Sequence, residues 1–203
     1  MTERIAPLDP PYAPDIDAHL RAAMPSWAKL EPLRLFRIWA RHLPMAEGLR
    51  ALGSYILGAG TVDPRHREIL ILRTCARCGA EYEWGIHVVS FPPFLKMPEA
   101  QVLATATASA EDPIWTPEQR LLVRLADELH DTARVPDDLW QELASHWNEV
   151  QILELVLIVG FYHFVSFTVN ATRVAPEAWA ARFPPGVATG GTADLHEPRG
   201  APR

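Results

Sequence analysis

Apolar side chains recur at intervals of three and four along most of this chain, and no segment alternates apolar and polar residues at period two over strand length. The pattern predicts an all-α fold without significant sheet. Asp15 to Met24 reads as a short amphipathic helix. Pro32 to His42 gathers Leu33, Phe36, Ile38 and Trp39 in one helical stretch, and His42-Leu43-Pro44 is expected to end it, because the residue before a proline is pushed out of the helical region. Met45 to Leu57 predicts a third helix, bounded by Gly58-Ala59-Gly60. Asp63-Pro64 supplies an N-cap and an N1 proline for a helix that runs to about Cys78 and stops at Gly79. Glu81 to Ser90 follows and ends before Pro92-Pro93, and Pro98 to Ala106 reads as a further helix. Thr116-Pro117 repeats the cap-plus-proline start for a strongly amphipathic helix, Glu118 to Asp131, which Pro136 to His146 follows. The apolar stretch from about Asn148 to Asn170 is expected to be the buried helix that closes the core.

The ends read differently. Residues 1–13 are proline-rich and predict an extended arm, residues 14–183 one helical domain, and residues 184–203, rich in glycine and proline, a flexible tail unless a partner subunit orders it.

Composition narrows the class. At 203 residues, with 48% apolar and 22% charged residues, the chain can bury one full core. Net charge is −6 and no Lys/Arg-rich run occurs, so no nucleic-acid surface is expected. The opening MTERIAPLDPPYAPD lacks the apolar centre of a signal peptide, and a cytoplasmic location is expected. Ile152 to Val169 has a span-like composition. Glu154, Gly160, His163 and Ser166 interrupt it, and its longest unbroken apolar run, Leu155 to Val159, is far short of the ~20 residues a span needs, so no membrane is expected.

The segment Glu68 to His87, EILILRTCARCGAEYEWGIH, concentrates the chemistry. Glu68 sits among Ile69, Leu70, Ile71 and Leu72, where a carboxylate finds a partner or has its pKa raised. Glu83 and His87 are four apart and share a helical face, and the Gly79 turn can bring Glu68 toward His87. A carboxylate that orients an imidazole fixes its tautomer, and a second carboxylate then serves as acid or base toward a small molecule. The spacing equally fits a surface pair, with Glu68 neutralised by Arg73 or Arg65. Cys75 and Cys78 suggest redox chemistry, but they fall near a helix C-terminus, where the dipole disfavours a thiolate, and small buried hydrophobes are the expected role. For zinc, the two cysteines and His87 lack a second Cys/His pair, and no metal or other cofactor is expected. His163 reads as a hydrogen-bonded core histidine and Asn170 as a structural hydrogen-bonding group. His66, His130 and His146 read as solvated, and Trp27, Trp39, Trp115, Trp140, Trp147 and Trp179 as core or interface mass.

Glu68 with Arg73 five positions on, followed by Glu81-Tyr82-Glu83-Trp84 and His87, resembles the carboxymuconolactone decarboxylase family, which includes the alkylhydroperoxidase D-like proteins. The aspartate-proline start before Glu68 and the late helix from Leu153 to Val174 resemble it too, so that the likeness covers roughly residues 30 to 180. It implies an alkylhydroperoxidase D-like helical bundle that assembles as a homo-oligomer, a trimer or hexamer, with active sites near subunit contacts. The peroxidase branch carries a Cys-x-x-Cys pair ending four residues before its histidine. Counted back from His87, those positions hold Ala80 and Glu83 here. The resemblance thus implies a cofactor-independent enzyme acting on a small organic acid, lactone or carbonyl compound. Glu68, Glu83 and His87 are its expected catalytic residues, and Arg73 and Tyr82 are expected to bind substrate. A thiol peroxidase using Cys75 and Cys78, or a non-catalytic binding oligomer, are the alternatives.

Overall fold

A computed structural model describes residues 2–24 and 31–189, and among these the chain is helical with no strand. The helices are α1 (Pro14–Ala23), α2 (Arg34–Trp39), α3 (Leu43–Ser54), α4 (Pro64–Arg77), α5 (Glu81–Ser90), α6 (Pro92–Leu95), α7 (Glu99–Thr107), α8 (Pro117–Thr132), α9 (Asp137–His146) and α10 (Glu149–Thr172). A 3-10 turn, Ala40–His42, joins α2 to α3, and a wider π-helical turn, Tyr55–Ala59, ends α3. Trp27 and residues 190–203 of the expected tail lie outside the described residues.

The centre of the bundle is α4. Every residue from Arg67 to Cys75 is buried, and α8, α10, α5 and α7 all pack on this helix. Ile69, Leu70, Ile71 and Leu72 are inaccessible to solvent, which is why the apolar run surrounds the helix on all sides. The expectation that α10 is the all-round buried helix needs correction. By length and composition α10 can cross a membrane, but half of its most apolar stretch is buried within the chain. Ile152, Leu155, Ile158, Val159 and Val165 face the core, while Val150, Leu153, Phe164 and Phe167 are exposed.

Local chemistry sets the helix ends. Asp63 accepts from the amides of Arg65 and His66 at the start of α4. At its end the amide of Gly79 bonds to Ala76 O and that of Ala80 to Cys75 O, a Schellman closure, with Gly79 at φ 63° where a side chain would be strained. Reciprocal capping boxes open α8 (Thr116 with Gln119) and α10 (Asn148 with Gln151). The break predicted at His42-Leu43-Pro44 occurs one residue early. His42 leaves the helical region (φ −130°, ψ 84°) and its Nδ1 accepts from the Met45 amide, while Leu43 and Pro44 already belong to α3. The Pro92-Pro93 break likewise begins the short α6, because proline suits the first helical turn.

The N-terminal arm is tied down. Glu3 binds the Arg34 guanidinium and the Ala175 amide, and the Arg4 amide donates to Thr172 O. Glu154 on α10 is a second tie: it accepts from Tyr55 Oη, the Thr61 amide and hydroxyl, and the Val62 amide, and these bonds hold its pKa low despite burial. That is how a carboxylate survives inside the longest apolar helix.

Candidate active site

Glu68 lies on the first half of α4 and His87 near the end of α5. The Schellman turn between the two helices folds them together so that Glu68 Oε2 stands 2.8 Å from His87 Nδ1. The other imidazole nitrogen, Nε2, is 3.4 Å from Glu83 Oε1 on the same face of α5. Glu68 Oε1 accepts from Arg67 Nε at 3.2 Å, and Arg67 also donates to Leu57 O. Two rings enclose the imidazole: Phe91 stacks on it with centroids 4.8 Å apart, and Tyr162 of α10 meets it edge-on at 5.1 Å. Glu68 is fully buried, and Arg67, Glu83, His87 and Tyr162 nearly so, whereas Phe91 is half-buried.

Burial is the largest single influence on His87 and opposes its charge, but the Glu68 and Glu83 carboxylates outweigh it and raise its pKa to about 9. At neutral pH the ring is therefore an imidazolium whose two N–H groups point at two carboxylates. With Arg67 the set holds two positive and two negative groups, a balance that a buried cluster requires. The Tyr162 phenol is held well above its usual pKa by burial and by the charges of Glu83 and Glu68, so it stays neutral. Chemically the arrangement is a desolvated acid, His87, between an orienting carboxylate, Glu68, and a carboxylate nearer the exterior, Glu83.

Helix α5 is held from outside by the segment that follows α10. Gly85 lies against it so closely that a Cβ there would stand 2.1 Å from Ala181 O, and the Ala181 amide donates to Gly85 O. Glu81 accepts from the Phe183 amide and pairs with Arg182, and the Phe183 ring lies 5.2 Å from Trp84. Trp84 donates to Thr105 on α7, which anchors the opposite face.

The structure places the other expected site residues elsewhere. Arg73 makes a bidentate pair with Asp127 of α8 (2.7 and 2.8 Å) and donates to Thr105 O and Ala108 O. The Tyr82 hydroxyl donates to Glu177 and accepts from the Leu35 amide. Both side chains have structural partners, and neither bonds to Glu68, Glu83 or His87. Cys75 is fully buried and its thiol is pushed well up by burial; Cys78 is half-buried and raised for the same reason, and the two are free thiols. Asn170 donates to Cys78 O, the structural hydrogen bond expected of it. His130 departs from the solvated reading: it is half-buried and its Nδ1 lies 3.0 Å from His163 Nε2. Trp39, Trp115 and Trp147 are core residues, and Trp140 and Trp179 are exposed.

Arg67, Phe91 and Tyr162 complete the site and were not picked out from the sequence. The only available signal for them was position: one residue before Glu68, four after His87, and within the apolar stretch of α10. A cavity of about 10 Å³, room for a single water, touches Arg67 and Glu154. A cleft of about 530 Å³ runs past Arg77, Cys78 and Ala108. Neither is lined by Glu68, Glu83 or His87.

No family model matches the chain, and no curated protein matches its sequence. Solved structures do match. The debrominase Bmp8 in complex with 2,3,4-tribromopyrrole superposes with a TM-score of 0.74 at 16% identity, covering 88% of this chain and 94% of that one. An uncharacterized peroxidase-related protein from Silicibacter sp. TM1040 gives 0.73 at 16% identity, covering 88% and 96%. The alkylhydroperoxidase AhpD core of an uncharacterized peroxidase-related protein from Ralstonia eutropha JMP134 gives 0.72 at 16% identity, covering 87% and 95%. At these identities the likeness is one of architecture, and the architecture of this chain is the all-helical AhpD-like fold.

Proposed function

We propose that this protein is an enzyme of the carboxymuconolactone decarboxylase-like type, moving protons on a small organic acid, lactone or related carbonyl compound with its own acid–base groups. The carrying observation is the buried His87 imidazolium between Glu68 and Glu83. In a decarboxylation, the bond to the carboxyl carbon breaks, carbon dioxide leaves, and its electron pair stays on the substrate as an enolate. The Nε2–H of His87 stabilises the enolate oxygen, and a proton returns to carbon from His87 or through Glu83. Lactone or carbonyl rearrangement uses the same two groups in the opposite order. Glu68 positions the ring and keeps it charged without touching substrate.

Phe91, the less buried of the two rings that cover His87, marks the side from which a ligand would approach it. The substrate is accordingly small, which agrees with the bound molecule of one fold relative being a substituted pyrrole. Active sites next to subunit contacts fit the exposed apolar stripe of α10, with Leu153 at 69% and Phe167 at 60% exposure, which a trimer or hexamer of this cytoplasmic protein would cover. A peroxidase working through Cys75 and Cys78 is the weaker reading, because burial disfavours both thiolates and neither sulfur bonds to His87.

The test is a thermal-shift screen of wild type and His87→Ala against aromatic acids, lactones, β-keto acids and peroxides, followed by assay of carbon dioxide release for any acid that binds. Stabilisation by one acid or lactone class, absent in the variant, supports the proposal. Peroxide-dependent oxidation of the two thiols, with no ligand that distinguishes wild type from H87A, overturns it.

A further inference from the structure

We propose that Cys78, His130 and His163 form a site for one late first-row divalent metal ion such as Zn2+, separate from the Glu68/His87/Glu83 set and sharing no ligand with it. The three side chains come from three helices. Cys78 caps the end of α4, His130 sits in the last turn of α8, and His163 lies midway along α10. Their ligand atoms all lie within 4.8 Å of one another. Cys78 Sγ is 3.7 Å from His130 Nδ1, which is 3.0 Å from His163 Nε2. Around a tetrahedral zinc with ordinary bond lengths, sulfur and nitrogen would be about 3.6 Å apart and the two nitrogens about 3.4 Å. The separation of the sulfur from His130 is already in place, that from His163 lies within 4.8 Å, and the imidazoles need to part by a few tenths of an ångström.

The hydrogen bonding prepares the ligands. His163 Nδ1 lies 2.9 Å from Val159 O. A carbonyl only accepts, so Nδ1 carries the proton and the Nε2 lone pair is left facing His130. This is the way metal-bound histidines are commonly oriented, one nitrogen on a backbone carbonyl and the other on the ion. Without metal, the contact between the two rings is a shared proton, donated by His130 Nδ1 to His163 Nε2. A cation entering between them displaces that proton, and His130 takes the alternative tautomer with its hydrogen on Nε2.

Cys78 completes the set. Metal binding exchanges its thiol proton for the ion, so a sulfur–metal bond forms and one proton is released to solvent. Arg77, adjacent in the chain, supplies a positive charge that favours the thiolate once an ion is present. Asp127 and Asp131 lie beside His130 and balance the charges of Arg73 and Arg77, so the arginines add no net positive charge next to the ion. One thiolate and two imidazoles suit zinc or copper and do not suit magnesium or calcium. Three protein ligands leave a fourth position for water or a small ligand, and Cys78 lines the open cleft of about 530 Å³.

The experiment titrates Co2+ into metal-free protein at neutral pH and follows the near-ultraviolet thiolate-to-cobalt absorption and the visible bands of a tetrahedral site. One equivalent per chain should produce both, and Zn2+ should displace it. Cys78→Ser should abolish the charge-transfer band, His163→Ala should weaken binding at least tenfold, and Cys75→Ser should retain the wild-type spectrum. Absence of the band in wild type, or its persistence in C78S, overturns the proposal. Should C78S fail to fold, X-ray absorption on the zinc-loaded wild type decides: a first shell of one sulfur and two imidazoles supports the site, and a shell of nitrogen and oxygen alone refutes it.

Discussion

Glu68 and His87 are nineteen positions apart and meet at 2.8 Å in the interior of the bundle, with Glu68 fully buried and His87 3% exposed. Neither group would be tolerable there alone. Each supplies the opposite charge that the other's burial demands, and Arg67 and Glu83 extend the compensation on either side.

The raised His87 pKa links this cluster to folding. The folded value is about 9 against an ordinary 6.5, so the pair's contribution is fully present below about pH 6.5 and is lost as pH rises through 9. The difference corresponds to roughly 3 kcal/mol. Urea unfolding of wild type at pH 6, 8 and 10 should show stability falling over that interval, and His87→Gln should flatten the profile. Equal slopes in the two proteins would refute the charged state assigned here.

Removing the positioning charge should reverse the balance on the ring. In Glu68→Gln, burial is opposed only by Glu83, and the His87 pKa should drop by more than one unit, read from its imidazole resonances by NMR. An unchanged titration would mean that Glu83 alone keeps the ring charged.

Arg73 holds α4 to α8 and to the end of α7 through four hydrogen bonds. Arg73→Ala should destabilise the fold by about 3 kcal/mol, since it leaves two carbonyls without their donor and Asp127 with only the looser Arg77 contact at 3.5 Å. Arg73→Lys should recover only part of this, because an ammonium cannot make the bidentate contact. A variant of normal stability with lost ligand binding would instead make Arg73 a substrate group.

Gly85→Ala should lift the segment around Ala181 from α5, at a cost of about 1–3 kcal/mol typical of overpacking. Faster proteolysis after residue 177 at unchanged helix content is the expected signature. Unaltered stability would show that the close approach is relaxed in solution.

Thiol labelling separates the cysteines by burial. Under native conditions an aromatic disulfide reagent should modify Cys78 slowly and leave Cys75 untouched until the protein unfolds. Rapid reaction of both would revive the redox reading.

Periodicity, caps and prolines determined most of the helices, because those signals are local: Asp63-Pro64, Thr116-Pro117 and Gly79 act through backbone groups a few residues away. The α5 bounds, Glu81–Ser90, were legible for the same reason. The Glu83/His87 spacing and the Gly79 turn also made the Glu68–His87 encounter foreseeable, since it needs only two consecutive helices. Tertiary structure decided what depends on distant segments. Which long apolar helix lies at the centre follows from how many neighbours cover it, and that choice fell on α4. Arg73 and Tyr82 took their partners from Asp127 and Glu177, and no spacing rule joins residues so far apart. Tyr162 came to His87, and His130 and His163 came to Cys78, only because α8 and α10 pack against α4. A helical sequence fixes which face a side chain occupies; the packing of whole helices against one another determines what that face meets.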